Sequence, residues 1–369
     1  MAAVMKILLV NKAYHPHIGG VETVVRQLAV HMARSGHEVC VLCFGERDET
    51  GESEGVRILR AAPLARVGSA PVGLDFVRKF RRLSMRADVI NLHSPNPMGE
   101  LAALMCGTNK KIISTYHGDA QRPEFLLPGY DLLMRRFFRV CAAVAVSSPK
   151  LAASSRVLSA AAPKTTVIPL GIPIEKFAEG RGAERGARNA FTVMFAGRLV
   201  YYKGIPVLLD ALSRLKKDGS DISALIMGSG PLEKEIKNII AGEQLENRVT
   251  VLPHQPDDLY RAAFKGADCF VLPSTHRTEA YGIVLIEAMA SGLPVISTEL
   301  GTGTSWINEN GRTGLVIPPG NGRALADAIK YLAEHDEERK KMAAAALARA
   351  NALFDEKKMF GAYEKLFAV

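Results

Sequence analysis

The chain has 369 residues, of which 48% are hydrophobic and 23% are charged, and its 47 basic and 38 acidic side chains give a formal net charge of +9. This length is too great for one ordinary hydrophobic core and suits two domains, and the composition is that of a globular chain. Because no run of about 18 apolar residues occurs, we expect no membrane-spanning helix.

The cysteines and the amino-terminal stretch favour a reducing, cytoplasmic compartment. The five cysteines are scattered through apolar surroundings and are Cys40, Cys43, Cys106, Cys141 and Cys269. The C-x-x-C of Cys40 and Cys43 lies inside the strand-like run EVCVLCF without a second such pair, so buried thiols are favoured over a zinc or redox pair. The run KILLV near the start predicts a first buried strand rather than a signal peptide.

Strand-like runs alternate with helical patterns along the whole chain. The first half contains KILLV, EVCVLCF, DVINLH, KIISTYH and AAVAVSS, and the second half contains TVMFAG, ISALIMG, VTVLP, CFVLPS and PVIST. This alternation predicts an α/β fold with two doubly wound, Rossmann-like parallel sheets, which bind ligands at the carboxyl ends of their strands. A segment rich in glycine and charge follows Gly171, so we predict domains over residues 1–171 and 172–354 and one more amphipathic helix at the end.

The loop HPHIGGVETVV follows the first strand, and STYHGD ends a later one. Gly19 and Gly20 open a helix, where paired glycines let backbone amides touch an oxyanion, although the loop lacks the G-x-G-x-x-G of dinucleotide-binding proteins. His117 lies at a strand end, which indicates a functional role over a structural one. His15 and His17 form an H-x-H, but without an acidic partner nearby a metal site is disfavoured.

The loop AGRLVYYKG begins the second half, directly after the strand TVMFA. Gly197 ends the strand, and Arg198 and Lys203 follow it at the carboxyl edge of the predicted sheet. Two cations at one edge suit a diphosphate, with arginine bidentate and lysine a point charge. The alternative is an ordinary loop with solvated bases. The chain contains no D-x-D motif, so a diphosphate held by metal is disfavoured.

The segment HRTEAYGIVLIEAMASG, residues 276–292, carries Glu279 and Glu287 around a short apolar helix. Gly282 lets the backbone approach a ligand at the helix start, where free N–H groups and the helix dipole favour an anion. An anion there would have a carboxylate on each side, and a carboxylate pairs well with two neighbouring hydroxyls. The pattern fits a nucleotide sugar; the alternative is a capping Glu279 and a solvent-facing Glu287.

These motifs together resemble the retaining glycosyltransferases of family 4, which have the two-Rossmann GT-B architecture. The resemblance covers nearly the whole chain and includes LPVIST and NGRTGLVIPPGN at the family's spacing. It implies two domains facing a cleft, a last helix over residues 355–369 that crosses back to the first domain, and transfer of a sugar from a nucleoside diphosphate sugar without metal or other cofactor. A nucleotide-sugar epimerase or a glycan phosphorylase on the same fold is the alternative.

The resemblance also implies a role for each candidate residue. Arg198 and Lys203 would hold the donor diphosphate, and Glu287 would bind the ribose hydroxyls. Glu279 would touch the hydroxyls of the donor sugar. The backbone at the helix start would assist, through Ala280, Tyr281, Gly282 and Ile283. From the first domain, the Gly19–Gly20 loop would close over the phosphate and His117 would contact the transferred sugar.

Two departures from the commoner family pattern bear on the sugar. Gly118 follows His117, where related sequences often have Ser-Asp, and GTGTSWIN follows the strand LPVIST. Both resemble bacterial surface-polysaccharide mannosyl- or rhamnosyltransferases, so the resemblance implies GDP-mannose or a UDP-sugar as donor rather than a glucose or N-acetylglucosamine donor.

The excess positive charge belongs to the first domain. Residues 1–170 hold 22 basic and 13 acidic side chains, whereas residues 171–369 hold 25 of each. Much of the excess lies in FVRKFRRLSMR and LLMRRFFR, which suit an interfacial surface on anionic lipid. We therefore predict a peripheral membrane enzyme with a lipid-linked glycan acceptor. The alternative is a pair of amphipathic helices with core-facing Phe and Leu, and nucleic-acid binding is disfavoured.

Overall fold

The computed structural model describes residues 4–17, 19–68, 70–120, 125, 127–178 and 190–368. The chain divides into two compact units, Met1–Leu170 with Met359–Val369, and Gly171–Lys358. Part of the predicted linker, residues 179–189, lies outside the described residues. Within the described residues, no helix has both the length and the apolar character needed to cross a membrane.

The first unit is built on a mostly parallel sheet. Its strands are β1 (Lys6–Val10), β2 (Glu38–Phe44), β3 (Glu49–Ser53), β4 (Val56–Ala61), β5 (Ala65–Val67), β6 (Ala70–Val72), β7 (Val89–Ser94), β8 (Lys111–Tyr116), β9 (Ala143–Val146) and β10 (Thr165–Val167). Its helices are α1 (Gly20–Arg34), α2 (Leu74–Ser84), α3 (Pro97–Cys106), α4 (Leu127–Val140) and α5 (Pro149–Ser154), with a 3₁₀ helix at Leu158–Lys164.

Eight of these strands form one sheet in the order β10-β9-β8-β7-β1-β2-β4-β3, parallel except for the antiparallel edge strand β3. The strands β5 and β6 form a separate antiparallel pair. The central strands β1 and β7 are buried because helices cover both sides of the sheet, which explains the apolar run of β1 after Lys6, whereas β7 also buries the polar residues Asn91, His93 and Ser94. The strand order reverses between β1 and β7, and the carboxyl ends there are the ligand-binding edge of such a sheet.

The second unit is a fully parallel sheet with helices around it. Its strands are β11 (Phe191–Ala196), β12 (Ile222–Met227), β13 (Val249–Leu252), β14 (Cys269–Leu272), β15 (Val295–Thr298) and β16 (Gly314–Ile317), in the order β13-β12-β11-β14-β15-β16. Its helices are α6 (Ile174–Ala178), α7 (Ile205–Lys217), α8 (Glu233–Gly242), α9 (Asp257–Lys265), α10 (Ile283–Ala290), α11 (Thr304–Ile307), α12 (Gly322–Glu334) and α13 (Asp336–Leu353), with a 3₁₀ helix at Tyr201–Lys203. Here the strand order reverses between β11 and β14.

The last helix, α14 (Glu356–Ala368), returns the chain to the first unit, as the resemblance implied. Its apolar face is buried through Met359, Phe360, Tyr363 and Phe367. The Tyr363 hydroxyl lies 3.1 Å from Oγ1 of Thr115 on β8, so this helix is fastened by a buried polar contact as well as by apolar packing. The prediction of two doubly wound α/β domains is confirmed.

Candidate active site

The loop after β11 brings a lysine back to the end of its own strand. A side chain placed on Gly197 would come within 3.7 Å of Cε and Nζ of Lys203, so the ammonium lies beside the Gly197 backbone. The loop closes at Gly204, which has φ +71° and starts α7. A Cβ on Gly204 would overlap the carbonyl oxygen of Pro273, just past β14. This glycine therefore holds the lysine loop against the neighbouring strand end.

Lys203 and Glu279 form the most buried ion pair at this edge of the described second unit. Lys203 Nζ lies 2.6 Å from Oε2 of Glu279, and the two side chains are 12% and 9% exposed. Ser274 donates its hydroxyl to the same oxygen at 3.1 Å, and Thr302 donates to the Glu279 carbonyl at 2.8 Å. The second carboxylate oxygen, Oε1, has no hydrogen-bond partner among the described residues, so it remains free to accept from a ligand hydroxyl.

The helix α10 begins next to this pair without a side-chain cap. Gly282 is the residue before the helix and has φ +84°, a conformation that favours glycine, and no side chain caps the start at Ile283. A Cβ at Gly282 would lie 3.0 Å from Cδ2 of Leu272 on β14. The first N–H groups of a helix have no partner inside it, so this start is a ready anion site.

The two residues that precede Gly282 are fixed by the loop after β15. The Gly303 amide donates to the Ala280 carbonyl at 2.8 Å. The Tyr281 side chain is buried. The approach to the helix start is therefore rigidly held rather than a loose loop, which is what a backbone-lined anion site needs.

Glu287 lies inside α10 and is held by a tyrosine from α9. Tyr260 donates its hydroxyl to Oε2 of Glu287 at 2.6 Å. Burial raises the pKa of Glu287, while the Tyr260 hydroxyl and the Lys203 charge oppose that rise. Lys203 therefore acts electrostatically on the carboxylates of both Glu279 and Glu287. Oε1 of Glu287 has no partner in the described part of the chain, so it too can accept from a ligand.

Arg198 lies close to this cluster without joining it. Its side chain is exposed and forms no hydrogen bond or ion pair with a described residue. Burial raises the pKa of the Tyr202 hydroxyl, on which the charges of Lys203, Glu279 and Arg198 all act. The charge of Arg198 thus acts on the same tyrosine as that of Lys203, and its side chain has no partner among the described residues.

In the first unit, His117 is paired with a second histidine that the sequence did not single out. His117 follows β8, and its Nε2 lies 2.9 Å from Nδ1 of His93 on β7. Burial, followed by the charge of Lys12, lowers the pKa of His117 to about 4. The ring is therefore neutral at neutral pH and cannot supply a positive charge to a phosphate.

The predicted glycine loop lies at the start of α1. Gly20 opens the helix, and Gly19 precedes it without a side-chain cap. The carboxylate of Glu22 folds back over this start, where it would overlap a Cβ on Gly19. The neighbouring Ile18 lies outside the described residues. The described residues contain no group of three His, Cys, Asp or Glu side chains arranged to hold an ion.

A buried carboxyl group lies at the start of α3. The carboxyl group of Glu100 accepts a hydrogen bond from the backbone amide of Asn96 at 2.7 Å and another from the Tyr130 hydroxyl at 2.7 Å. Burial raises its pKa to about 7. Burial also lowers the pKa of Lys12, and the charge of Glu100 opposes that fall. This group escaped the sequence reading because a glutamate inside an apolar helix gives no sign of burial.

The arginine-rich stretches form α2 and α4, with α3 packed against both. Their phenylalanines lie in the core and are therefore not available to a lipid surface: Phe76, Phe80, Phe137 and Phe138. The outer faces carry exposed arginines, namely Arg78, Arg81, Arg82, Arg86, Arg135, Arg136 and Arg139. Exposed apolar side chains lie on the same helices and just beyond α2: Leu74, Met85, Leu101, Met105, Leu132 and Val140.

The structure thus brings together Gly197, Lys203, Glu279, Ala280–Ile283 and Glu287 in the second unit. Sequence reasoning missed Tyr260 and Ser274. Ser274 could have been found from its position just after a strand, whereas nothing in the sequence indicates Tyr260. Gly19, Gly20 and His117 lie at the carboxyl edge of the first sheet. Two doubly wound units, each with polar groups at the carboxyl edge of its sheet, have the architecture of the GT-B class.

Comparison with known proteins gives the family. Residues 179–349 match the model "Glycosyl transferases group 1", and residues 18–176 match "Glycosyltransferase Family 4". The chain is 33% identical to the O-antigen chain mannosyltransferase C of Escherichia coli over 98% of both chains. It is 34% identical to the D-rhamnosyltransferase WbpZ of Pseudomonas aeruginosa over 95% of this chain and 92% of that protein. The chain therefore belongs to the group 1, family 4 glycosyltransferases and is a glycosyltransferase.

A solved structure supports the same architecture. The crystal structure of Anabaena HepE in complex with UDP aligns with a TM-score of 0.79 at 22% identity, and the alignment covers 99% of this chain and 100% of that one. At this identity the likeness establishes the shared fold, which is the GT-B fold that the family resemblance implied.

Proposed function

We propose that this glycosyltransferase moves a hexose from a nucleoside diphosphate sugar, GDP-mannose or a related GDP- or UDP-sugar, to a lipid-linked glycan, with retention and without metal. The observation that carries the proposal is the cluster of Lys203, Glu279 and Glu287 around the uncapped start of α10. A diphosphate at that start would meet helix amides, one buried ammonium and the exposed guanidinium of Arg198.

The two carboxylates then take different parts of the donor. Each has one oxygen held by the protein and one without a described partner, so each can accept hydrogen bonds from a ligand hydroxyl. Glu287, inside the helix, would accept from the ribose hydroxyls. Glu279, before the helix and beside Lys203, would accept from the hydroxyls of the sugar.

The cations suit a metal-free departure of the diphosphate. As the bond between the sugar C1 and the phosphate oxygen breaks, its electron pair leaves with the diphosphate, and Lys203, Arg198 and the α10 amides stabilise the new charge. Lys203 and Ser274 both bind Oε2 of Glu279 and so draw charge away from the carboxylate, which disfavours it as a nucleophile. The acceptor hydroxyl therefore attacks on the face that the phosphate leaves, and its proton passes to a departing phosphate oxygen, which retains the anomeric configuration.

The names of the relatives and the surface of the first unit support the proposed sugar and acceptor. The two relatives described above are named for mannosyl and D-rhamnosyl transfer, and one of them for the O-antigen chain. A mannose-type sugar and a growing glycan chain are therefore the favoured substrates. The exposed arginines and apolar side chains of α2, α3 and α4 support an acceptor carried on anionic lipid.

The test is a donor panel with a lipid-linked glycan acceptor in excess EDTA. Purified protein would be mixed with GDP-mannose, GDP-rhamnose, UDP-glucose or UDP-N-acetylglucosamine, and the glycolipid product would be measured by mass. We expect transfer from a GDP-linked hexose in EDTA and little from the two UDP-sugars. Transfer only after addition of Mg²⁺ or Mn²⁺ would overturn the metal-free site, and transfer confined to UDP-glucose would overturn the assignment of the sugar.

A further inference from the structure

Two histidine rings share a buried hydrogen bond at the carboxyl edge of the first sheet. Nδ1 of His93 and Nε2 of His117 are 2.9 Å apart, and the rings are nearly parallel, with centroids 5.2 Å apart. His93 is 1% exposed and His117 is 9% exposed. Burial lowers the pKa of both rings, and the Lys12 charge also disfavours a protonated His117. Both imidazoles are therefore neutral, and each carries one ring hydrogen.

One hydrogen must lie between the two nitrogens, and this leaves two arrangements. If His93 donates from Nδ1, its Nε2 is a bare lone pair and His117 carries its hydrogen on Nδ1. If His117 donates from Nε2, His93 carries a hydrogen on its own Nε2 and His117 shows a bare Nδ1. The two arrangements present opposite hydrogen-bonding groups to a ligand of His117.

The far nitrogen of His93 favours the first arrangement. His93 Nε2 is buried without a hydrogen-bond partner among the described residues. In the second arrangement it would be an orphaned N–H, and orphaned buried N–H groups are rarer in proteins than under-satisfied acceptors. His117 Nδ1 has no partner in the described part of the chain either, but it is not among the buried atoms left unsatisfied, so it reaches solvent.

We propose that His93 is a positioning residue, which fixes the ring and tautomer of His117 so that His117 presents Nδ1–H as a donor to the substrate. The group it meets must then accept a hydrogen bond, as a sugar hydroxyl or ring oxygen does. This inference rests on the proposed function for its substrate, but the tautomer itself is a property of the protein alone.

The first test reads the tautomer directly. In ¹⁵N-histidine-labelled protein, two-bond ¹H–¹⁵N spectra distinguish a protonated from a bare ring nitrogen, and His117→Asn identifies the signals of His117. We expect a protonated Nδ1 and a bare Nε2 on His117 in the protein without substrate. A protonated Nε2 would overturn the proposal. Because neither donor nor acceptor is present, a failed transfer assay bears on the proposed function only.

The second test separates positioning from folding. His93→Phe keeps a ring of similar size and removes the hydrogen bond, so kcat should fall by roughly 5- to 10-fold, the worth of one neutral hydrogen bond, with nucleoside diphosphate affinity unchanged. His93→Asn restores a donor near the position of Nδ1 and should recover most of kcat.

Asn91→Val is the matched control, because Asn91 is a buried polar residue of the same strand whose side-chain amide donates to Ile113 and Thr115 rather than to His117. It should lower stability yet leave the His117 spectrum and kcat as they are. An unchanged kcat in His93→Phe, or equal losses of kcat in His93→Phe and Asn91→Val, would contradict a positioning role.

Discussion

Replacing Glu279 by glutamine should tighten the binding of free nucleoside diphosphate while it damages sugar transfer. Lys203 is bound to Glu279 at 2.6 Å, and both side chains are about nine-tenths buried. A diphosphate must therefore compete with Glu279 for the ammonium. The amide of Glu279→Gln carries no charge, so in the proposed site Lys203 would be left for the phosphate, whereas the sugar would lose the carboxylate proposed to accept its hydroxyls.

The size of the gain follows from the interaction that is removed. A hydrogen bond to a charged group is worth about 1.5–3 kcal/mol, which corresponds to roughly 10- to 150-fold in affinity. The diphosphate keeps part of the attraction to Lys203 even in the wild type, so we expect the lower part of that range, about tenfold. The same change should lower the melting temperature without ligand, because a largely buried ammonium loses its partner.

Calorimetric titration of GDP and UDP in EDTA measures this effect. Lys203→Met should weaken binding, and in that background Glu279→Gln should have no further effect, since the competition no longer exists. Glu287→Gln is the matched control at the other carboxylate and should weaken binding, because the ribose loses a charged acceptor. Equal weakening by Glu279→Gln and Glu287→Gln would refute the separate roles of the two glutamates.

Three further predictions follow from buried groups and surface charge. Tyr260→Phe removes a hydroxyl that lowers the pKa of Glu287, so Glu287 should become protonated at a higher pH than in the wild type. When the solution is acidified, the variant should therefore lose its affinity for GDP at a higher pH than the wild type. Identical pH profiles would exclude this role. Burial raises the pKa of Glu100 from 4.5 to about 7, so the folded protein binds this proton more tightly than the unfolded chain does. The stabilisation that protonated Glu100 gives is fully present below pH 4.5 and is lost as the pH rises through 7. That shift is worth about 3 kcal/mol, and chemical denaturation of Glu100→Gln should show a correspondingly flatter pH dependence, whereas an unaltered slope would contradict it. Charge reversal of the four exposed arginines Arg78, Arg81, Arg82 and Arg86 should abolish co-sedimentation with anionic vesicles at low salt while leaving GDP binding intact; wild-type protein that stays in the supernatant would remove the lipid-surface proposal.

The sequence predicted the features that depend on local pattern. Alternating apolar runs indicated both parallel sheets, and the glycines at 282 and 292 bracket a helix that spans Ile283–Ala290 in the structure. Strand-end positions also pointed to Arg198, Lys203 and His117, because the carboxyl edge of a parallel sheet is common to all its strands.

Pairings between distant segments could not be predicted in the same way. The ion pair of Lys203 with Glu279 joins the ends of β11 and β14, and the hydrogen bond of Tyr260 to Glu287 joins two helices. Such contacts depend on strand order and helix packing, which periodicity does not encode. The His93–His117 contact likewise requires β7 and β8 to be neighbours in register, and His93 reads in sequence as one more residue of a buried strand.

The most direct test of the whole account is the configuration of the product formed in EDTA. An α-linked GDP-hexose, transferred to a lipid-linked glycan acceptor under conditions that remove divalent metal, should give a product whose new linkage is α by the one-bond C1–H1 coupling in its NMR spectrum. That result would agree with departure of the diphosphate into the Lys203, Arg198 and α10 site and attack from the same face. A β-linked product, or no product until metal is restored, would contradict the account.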